Sequence, residues 1–412
     1  MLGDVRGGVR LVVDGVHGVT GIVEAMHQRI ARAALPWRKM PEAAAGGIPA
    51  LVYRGIRGTT QLVGKGLDAA LAGLQTVLEA SLQSLPETQA GPGRDARVAA
   101  LNGVVGDHLE RTANPLAIRM QLLRRGARCD SAQLPLPGPH VLLLIHGLCM
   151  NDRQWTRGGH DHGQMLAQAL GLTAVYARYN SGLHVSTNGR ELAAQLERLL
   201  QDWPVPVQTL TLIGHSMGGL VARSAVHQAA QADMAWPKHL RHLVFLGTPH
   251  HGAPLERGGN WLHRGLGLGS YAAPFTRLSG LRSAGITDLR HGNLLDEDWA
   301  DSRFAQRDTR SMVALPAGVA CYAVAGTLGP SQDSEGDDAV RIPGRATAAR
   351  LLGSDWLGDG LVPLASALGR HAKPTRDLHI PASHQWTGRG IHHLDLLASK
   401  SVYQQLRRWL AN

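Results

Sequence analysis

Short apolar runs recur through the last two thirds of the chain, and segments with helical periodicity separate them. The first run, Val141–Ile145, is unbroken and of strand length, as expected for a parallel strand that is buried on both faces. Similar runs follow at residues 173–178, 208–213, 242–247, 319–325 and 376–380. Six alternating β/α units predict a doubly wound, mostly parallel sheet.

The clearest helix between these runs is predicted over Gly189–Asp202. Its leucines between residues 192 and 200 fall on one face at helical spacing. Asn188 stands immediately before it, where a capping side chain is expected.

A helical pattern also fills the early part of the chain. Apolar residues recur there at steps of three and four between residues 9 and 30. A second helical run covers roughly Leu51–Leu82, and a third spans about Arg94–Leu109. Residues 116–124 fit either a short helix or a strand.

Prolines at 135, 137 and 139 mark a boundary after this region. We therefore predict a helical accessory region over residues 1–134 and a second domain over residues 140–412. The apolar stripes of residues 1–130 would suit a peripheral membrane or oligomer contact. A helical cap packed on the second domain is the simpler interpretation, because no strong basic face lies opposite the stripe.

Residues 253–312 do not follow the alternation of strands and helices. The segment is glycine-rich and carries Trp261 and Trp299. It is predicted to be an insertion, most simply a lid over the site that excludes water. A surface excursion without a functional role is the alternative.

The net charge limits the classes of partner. The 412 residues carry a formal charge of +10, but the excess is spread along the chain, without a basic run or aromatics interleaved with basic residues. Binding to nucleic acid is therefore not expected, whereas attraction to an anionic membrane surface is compatible with the charge.

The cysteines and the apolar runs indicate a compartment. Cys129, Cys149 and Cys321 are widely spaced and odd in number, which favours neither a disulfide framework nor a metal site. The chain opens without a signal-peptide pattern, and no apolar run approaches the 18 residues of a membrane span. We expect a cytoplasmic protein, with membrane association as a further option.

The strongest chemical motif is Gly214-His215-Ser216-Met217-Gly218, which fits the G-x-S-x-G nucleophile elbow. A strand that turns sharply into a helix leaves the central serine strained and exposed, and glycines permit so tight a turn. Apolar residues before and after the motif supply that strand and helix. Ser216 is therefore the predicted nucleophile, and an ordinary glycine turn is the alternative.

A serine nucleophile needs backbone N–H donors for the developing oxyanion. Met217 follows the nucleophile and would supply one donor. Leu148, after the flexible Gly147 in the loop that follows the first strand, would supply the other. His146 in the same loop is interpreted as a brace for it rather than as a proton carrier.

The acid and base should follow the serine in that order along the chain. Asp359 lies between two glycines after the fifth strand and is the preferred acid, with Asp355 as its closest rival. His384 and His393 both come late enough to be the base, and spacing alone does not choose between them.

The sequence indicates neither a cofactor nor a metal site. His160 and His162 are two residues apart, but no third ligand accompanies them at a useful spacing. We interpret them as a loop pair.

Residues 140–412 resemble the bacterial lipase and esterase branch of the α/β-hydrolases, including triacylglycerol-lipase-like and inositol-deacylase-like serine esterases. Five segments carry the resemblance, in the order of the family: His146-Gly147-Leu148, Gly214-His215-Ser216-Met217-Gly218-Gly219, Gly247-Thr248-Pro249-His250-His251-Gly252, Asp359-Gly360-Leu361-Val362-Pro363 and His393-Leu394-Asp395.

The resemblance implies an α/β-hydrolase fold with about six strands that lacks the first two strands of the full sheet. It also implies His393 as the base, because the family's base lies in a His-Leu-Asp-like segment. Asp395 matches a position that helps to bind calcium in some of these lipases, although no partner aspartate can be identified. Residues 1–130 lie outside the resemblance.

The expected function is that of a serine carboxylic-ester hydrolase that acts through an acyl-enzyme on hydrophobic acyl esters. The substrate would be a small ester. An acyltransferase with the same triad is the first alternative. A non-catalytic binding module that has kept the fold is the second.

Overall fold

We describe the chain from a computed structural model. The residues that it describes are 7, 10, 92–129, 136–253, 283–300, 308, 310–328 and 358–411. The chain divides into two compact units, one of residues 1–90 with 109–117 and the other of residues 91–108 with 118–412.

In the first unit, the side chain of Asn114 donates a hydrogen bond to the carbonyl oxygen of Gly7 at 3.0 Å. Arg10 donates to the carbonyl oxygen of Ala113 at 3.1 Å. The first two early helical runs lie almost entirely outside the described residues, whereas the third is confirmed as a helix over Pro92–Arg111. The division at residues 134–140 stays a prediction.

The second unit is built on one large sheet. The strands of the described residues are numbered in chain order: β1 (Gln121–Arg124), β2 (Ala127–Arg128), β3 (His140–Ile145), β4 (Thr156–Arg157), β5 (His160–Asp161), β6 (Thr173–Arg178), β7 (Thr209–His215), β8 (Leu240–Leu246), β9 (Ala320–Thr327) and β10 (Gln385–Arg389). Eight of them form a sheet in the order β2-β1-β6-β3-β7-β8-β9-β10, and β4 pairs with β5 separately.

The central strands run parallel, as the apolar runs predicted. Strand β3 pairs in parallel with both β6 and β7, which places Leu143 opposite Val175 and Leu212. Leu143 is fully buried, and so are its neighbours along the strand. A strand that contacts packed layers on both faces has to be apolar throughout, which explains the unbroken run.

Two predictions about the sheet are wrong. The sheet does not stop at its six parallel strands, because the short antiparallel hairpin of β1 and β2 extends its edge beside β6. Residues 376–380 form no strand: His379 there adopts a left-handed φ of 50°, and a 3₁₀ turn covers Pro374–Arg376. The sixth parallel strand is β10, at the sheet edge, where a partly polar sequence suffices.

Helices cover the sheet on both sides. Those of the described residues are α1 (Pro92–Arg111), α2 (His162–Leu170), α3 (Val185–Gln201), α4 (Met217–Gln231), α5 (Ala284–Asp288), α6 (Glu297–Ala300), α7 (Leu364–Ala367) and α8 (Lys400–Leu410). Leu142 and Leu144 of β3 pack in one core cluster with Leu166 of α2 and Leu406 of α8. Helices α3 and α4 pack against each other, and α4 also contacts β3, β7 and β8.

Helix α3 begins four residues before its predicted start. Asn188 is not its cap, and the side chain of Asn188 instead donates to the carbonyl oxygen of Asn180 at 3.0 Å. The backbone N–H of Val185, at the first turn of the helix, donates to the carboxylate of Asp288 at 2.8 Å. A cap that lies 103 residues away in the sequence leaves no local signal.

The predicted insertion is described only in part. Its residues 254–282, 301–307 and 309 lie outside the described residues, so its role as a lid stays a prediction. Its later part is anchored on the core, because Ser283 donates to the carbonyl oxygen of Gly103 at 2.6 Å.

Two sequence-based expectations concern the membrane and the thiols. Within the described part of the chain, no helix combines the length and the apolar character that crossing a membrane would require. Cys129, Cys149 and Cys321 are all free thiols, and the last two are buried.

The acid stability of the second unit should depend on buried histidines such as His162. Its Nδ1 lies 2.7 Å from Nε2 of His160, and its Nε2 donates to the carbonyl oxygen of Leu396 at 2.9 Å. Burial lowers the pKa of His162 to about 4. The unfolded chain, in which the pKa is about 6.5, therefore takes up a proton that the folded protein excludes, and stability falls as the pH drops from about 6.5 towards 4.

Replacing His162 with Gln removes one such group. Between pH 7 and pH 5 the variant should lose about 2 kcal/mol less of its free energy of unfolding than the wild type. Urea unfolding at several pH values measures this difference. Equal losses in the two proteins would contradict the prediction.

Candidate active site

Ser216 lies at the sharp turn between β7 and α4. Its backbone adopts φ 52° and ψ −123°, which is a strained conformation for a residue with a side chain. A Cβ added at Gly214 would lie 2.5 Å from Cα of Gly219, and one added at Gly218 would lie 2.2 Å from the carbonyl oxygen of Ile145. Only glycine fits at both positions, which is the physical reason for the motif.

Asp359 follows β9 and is buried, with two roles for its two carboxylate oxygens. Oδ1 accepts hydrogen bonds from the backbone N–H groups of Leu361 at 3.0 Å and Val362 at 2.9 Å. Oδ2 lies 2.7 Å from Nδ1 of His393. Because the first oxygen is fixed by the backbone, the second is aimed at the imidazole.

His393 follows β10 and is also buried. Its backbone N–H donates to the carbonyl oxygen of Asp359 at 3.1 Å, which is a second link between the two loops. A carboxylate can only accept, so Nδ1 carries the hydrogen and Nε2 is the basic nitrogen. Ser216 and His393 line the same cavity.

His384, the other candidate base, lies at the opposite end of the sheet. Its Nδ1 donates to the carbonyl oxygen of Cys321, the second residue of β9, at 3.1 Å. Asp359 and His393 lie near the other end of the same strand, where a Cβ added at Gly326 would be 3.1 Å from Cβ of Asp359. Five residues of a strand span roughly 16 Å. The structure therefore brings His393, and not His384, to Ser216.

The predicted oxyanion loop lies directly against the nucleophile. A Cβ added at Gly147 would be 3.1 Å from Cβ of Ser216. Leu148, the next residue, lines the cavity beside Ser216. Met217, the other predicted donor, is the first residue of α4 and is fully buried. Cys149 completes the turn with a left-handed φ of 60°, and its N–H donates to Oγ of Ser181 at 3.0 Å.

His146 holds this loop in the way that the sequence predicted. Its Nδ1 donates to the carbonyl oxygen of Gly147 at 2.8 Å, and its ring stacks on Tyr179 with centroids 4.2 Å apart. The Tyr179 hydroxyl donates to the carbonyl oxygen of His146 at 2.7 Å. Burial lowers the pKa of His146 to about 4, so the imidazole is neutral near pH 7.

The loop after β8 forms another wall of the cavity through Pro249. His250 behind it is fully buried between two arginines. Arg223 lies 3.3 Å from its Nδ1, and Arg310 donates to its carbonyl oxygen at 2.6 Å. Burial and these cations lower the pKa of His250 well below its ordinary value, so this histidine is a structural part of the loop.

The cavity next to Ser216 is mainly apolar. Besides Ser216, His215, His393 and the backbone of Gly147, the described residues that line it are Leu148, Met150, Pro249, Ala253, Leu289, Leu361 and Val362. None of these seven carries a charge. Ala253 and Leu289 belong to the predicted insertion, and no motif in the sequence singles out either of them.

His215 is another buried residue of the site that no signal in the sequence identified. Its Nε2 donates to the carbonyl oxygen of His393 at 3.1 Å. The residue occupies a variable position of the elbow motif, so spacing could not have identified it.

Three residues were considered as metal ligands from the sequence: His160, His162 and Asp395. His160 and His162 hydrogen-bond to each other, and Asp395 begins the 3₁₀ turn Asp395–Leu397 just after His393. Within the described ranges, no three His, Cys, Asp or Glu side chains are grouped as a metal would need.

The comparisons with known proteins bear on this fold and site. Residues 137–322 match the family model of the PGAP1-like alpha/beta domain. No curated protein matches the chain.

Several solved structures are similar at low identity. Lipase BlEst2 from Bacillus licheniformis, in its mature form, is 17% identical over 68% of this chain and 96% of that chain, with a TM-score of 0.40. Phospholipase PlaB from Legionella pneumophila is 19% identical over 56% of this chain and 45% of that chain, with a TM-score of 0.35. An esterase from Pyrobaculum calidifontis is 14% identical over 81% of this chain and 96% of that chain, with a TM-score of 0.36.

The matched family model spans β3 to the start of β9, the part of the sheet that carries the serine elbow. The sheet is parallel through its centre and places the elbow at its carboxyl edge, where α/β folds hold their sites. Residues 137–322 therefore resemble the PGAP1-like alpha/beta domain, and the sheet that they form is that of an α/β-hydrolase fold.

Proposed function

We propose that the protein is a serine carboxylic-ester hydrolase that acts through an acyl-enzyme. The observation that carries this proposal is the buried Asp359–His393 pair, 2.7 Å apart, beside the strained Ser216. A general base that is oriented by a carboxylate and placed next to a serine hydroxyl is the arrangement that activates this nucleophile.

In the first half of the reaction, Oγ of Ser216 attacks the ester carbonyl carbon while Nε2 of His393 takes the hydroxyl proton. The tetrahedral oxyanion is stabilised by the N–H groups of Leu148 and Met217. Asp359 holds the Nδ1–H and stabilises the imidazolium. His393 then returns the proton to the departing alcohol, which leaves the acyl group on Ser216.

In the second half, water replaces the alcohol. His393 takes a proton from the water, whose oxygen attacks the acyl-enzyme, and the same two N–H groups stabilise the second oxyanion. Collapse of this intermediate releases the carboxylic acid and returns the proton to Ser216.

The substrate that we propose is an ester with a hydrophobic acyl group. The described wall of the cavity consists mainly of apolar side chains, from Leu148 at one loop to Val362 at another. Burial of apolar acyl carbons against them is favourable by about 25 cal/mol per Å². A charged acyl group would lose its hydration there without gaining an ion-pair partner among the described lining residues.

We also propose a cytoplasmic location and no dependence on nucleic acid. Three free thiols, Cys129, Cys149 and Cys321, are compatible with a reducing compartment. A peripheral membrane or oligomer contact through residues 1–130 remains part of the proposal.

The nucleophile can be tested with a fluorophosphonate probe. Ser216→Ala should abolish labelling and lower kcat/KM for a nitrophenyl ester by about 10³-fold or more, since it removes the hydroxyl that forms the acyl-enzyme. Ser401→Ala, which changes an exposed serine on α8, is the matched control and should label like the wild type. A folded wild-type protein that the probe does not label would rule out the serine hydrolase.

The base can be tested by replacing each candidate histidine separately. His393→Gln should lower kcat by about 10³-fold or more, because it removes the proton acceptor. His384→Gln should leave kcat within about 3-fold and affect only the melting temperature, since it breaks a hydrogen bond at the far end of β9. Steady-state kinetics and thermal unfolding measure both effects. Loss of turnover in the His384 variant alone would reverse the assignment.

The acyl preference can be tested with nitrophenyl esters of increasing chain length, with and without a lipid–water interface. We expect kcat/KM to rise with the first added methylenes, by up to about 4-fold for each one buried, because about 0.8 kcal/mol is gained per CH₂. Activity confined to the shortest soluble ester would contradict a hydrophobic acyl site. Product that is transesterified when alcohols are added would instead indicate acyl transfer.

A further inference from the structure

His215 connects the nucleophile to the base through a single side chain. It is the last residue of β7, directly before Ser216, and it is 1% exposed. Its Nε2 lies 3.1 Å from the carbonyl oxygen of His393. A directional bond therefore links the main chain of the base to the residue that adjoins the nucleophile.

The hydrogen-bond partners of His215 fix its tautomer. A carbonyl oxygen can only accept, so the hydrogen is on Nε2 and Nδ1 bears a lone pair. Burial, together with the neighbouring His393, lowers the pKa of His215 well below its ordinary value, so the ring is neutral. Among the described residues, Nδ1 has no hydrogen-bond partner although it is buried.

The imidazole of His215 is also held on its other sides. A Cβ added at Gly147 would lie 3.1 Å from its Nδ1, so the ring packs against the oxyanion loop. Trp155 contacts it edge-on, with ring centroids 6.4 Å apart. The His393 ring lies at 4.8 Å between centroids. The ring of His215 therefore lies between the oxyanion loop and the base loop and cannot shift without moving one of them.

A buried acceptor without a partner is unfavourable for stability. An apolar side chain of similar size would fill the same space without that penalty. An apolar side chain, however, could not donate a hydrogen bond to His393. The bond to the base is therefore the feature that distinguishes the imidazole.

We propose that His215 is a positioning residue: through its bond to the His393 carbonyl it sets the distance between Ser216 and the base. This inference rests on the proposed function, since it assumes that Ser216 and His393 perform the chemistry. His215 itself exchanges no proton with the substrate.

His162 provides a matched control for this proposal. It is another buried, neutral histidine, and its Nε2 donates to the carbonyl oxygen of Leu396 at 2.9 Å. Leu396 belongs to the same loop as His393 but lies three residues further along. Loss of either bond should destabilise the loop by a comparable amount, but only the bond of His215 holds the base itself.

The experiment compares His215→Met, His215→Gln and His162→Met in the full chain. Met removes the donor at similar volume, and Gln can present an N–H near the position of Nε2. For each variant kcat, KM, the rate of fluorophosphonate labelling and the melting temperature are measured. His215→Asn, whose amide is too short to reach the carbonyl, replaces His215→Met if the latter does not fold.

We expect His215→Met to lower kcat and the labelling rate by about 10- to 100-fold with KM changed by less than about 3-fold, because a small misplacement of the base slows the chemical step. His215→Gln should recover most of that loss. His162→Met should lower the melting temperature and leave kcat within about 3-fold of the wild type.

Three results would overturn the proposal. They are wild-type kcat in His215→Met, no recovery in a folded His215→Gln, and a loss of kcat in His162→Met as large as that in His215→Met. In each case labelling of the wild type at Ser216 would show that the serine hydrolase stands while the role of His215 fails. A wild type that does not label would refute the proposed function instead.

Discussion

The contact between Asp359 and His393 determines how the rest of the candidate site is built. Its two residues lie 34 positions apart in the sequence and near the carboxyl ends of two adjacent parallel strands, and the backbone N–H groups of Leu361 and Val362 hold the carboxylate in its orientation towards the ring. Only with the carboxylate fixed does the imidazole have one tautomer and one direction. The strained turn at Ser216 then has only to place the serine at the right distance from the His393 imidazole.

Features set by local chain geometry could be predicted from the sequence. The elbow, the oxyanion loop and the acid each need glycine within one or two residues, and the parallel strands need unbroken apolar runs, so all left a local pattern. Features that depend on residues distant in the sequence left no local pattern. Strand β10 is an edge strand with a partly polar sequence, helix α3 is capped by Asp288 from another segment, and spacing could not separate His384 from His393.

The abundance of histidine, 21 residues, at first suggests several catalysts or a metal site. The structure gives several of them a different use, because their imidazoles donate hydrogen bonds to backbone carbonyl oxygens of loops and strands. The pairs are His146 with Gly147, His162 with Leu396, His215 with His393, His251 with Gly369 and His384 with Cys321. A neutral imidazole satisfies one buried carbonyl and fills the volume of a small aromatic ring, which suits loops that lie between packed layers.

A carboxylate partner does not by itself make a histidine a base. His184 also has one, since its Nδ1 lies 3.0 Å from Asp288, but its ring stacks on Trp299 at 3.8 Å and its carboxylate also caps a helix. The pair therefore joins the insertion to the core. His393 differs because its carboxylate-bound ring lies at the carboxyl edge of the sheet, in one cavity with Ser216. The candidate site is thus defined by the coincidence of an oriented ring with a strained serine, and neither half would identify it alone.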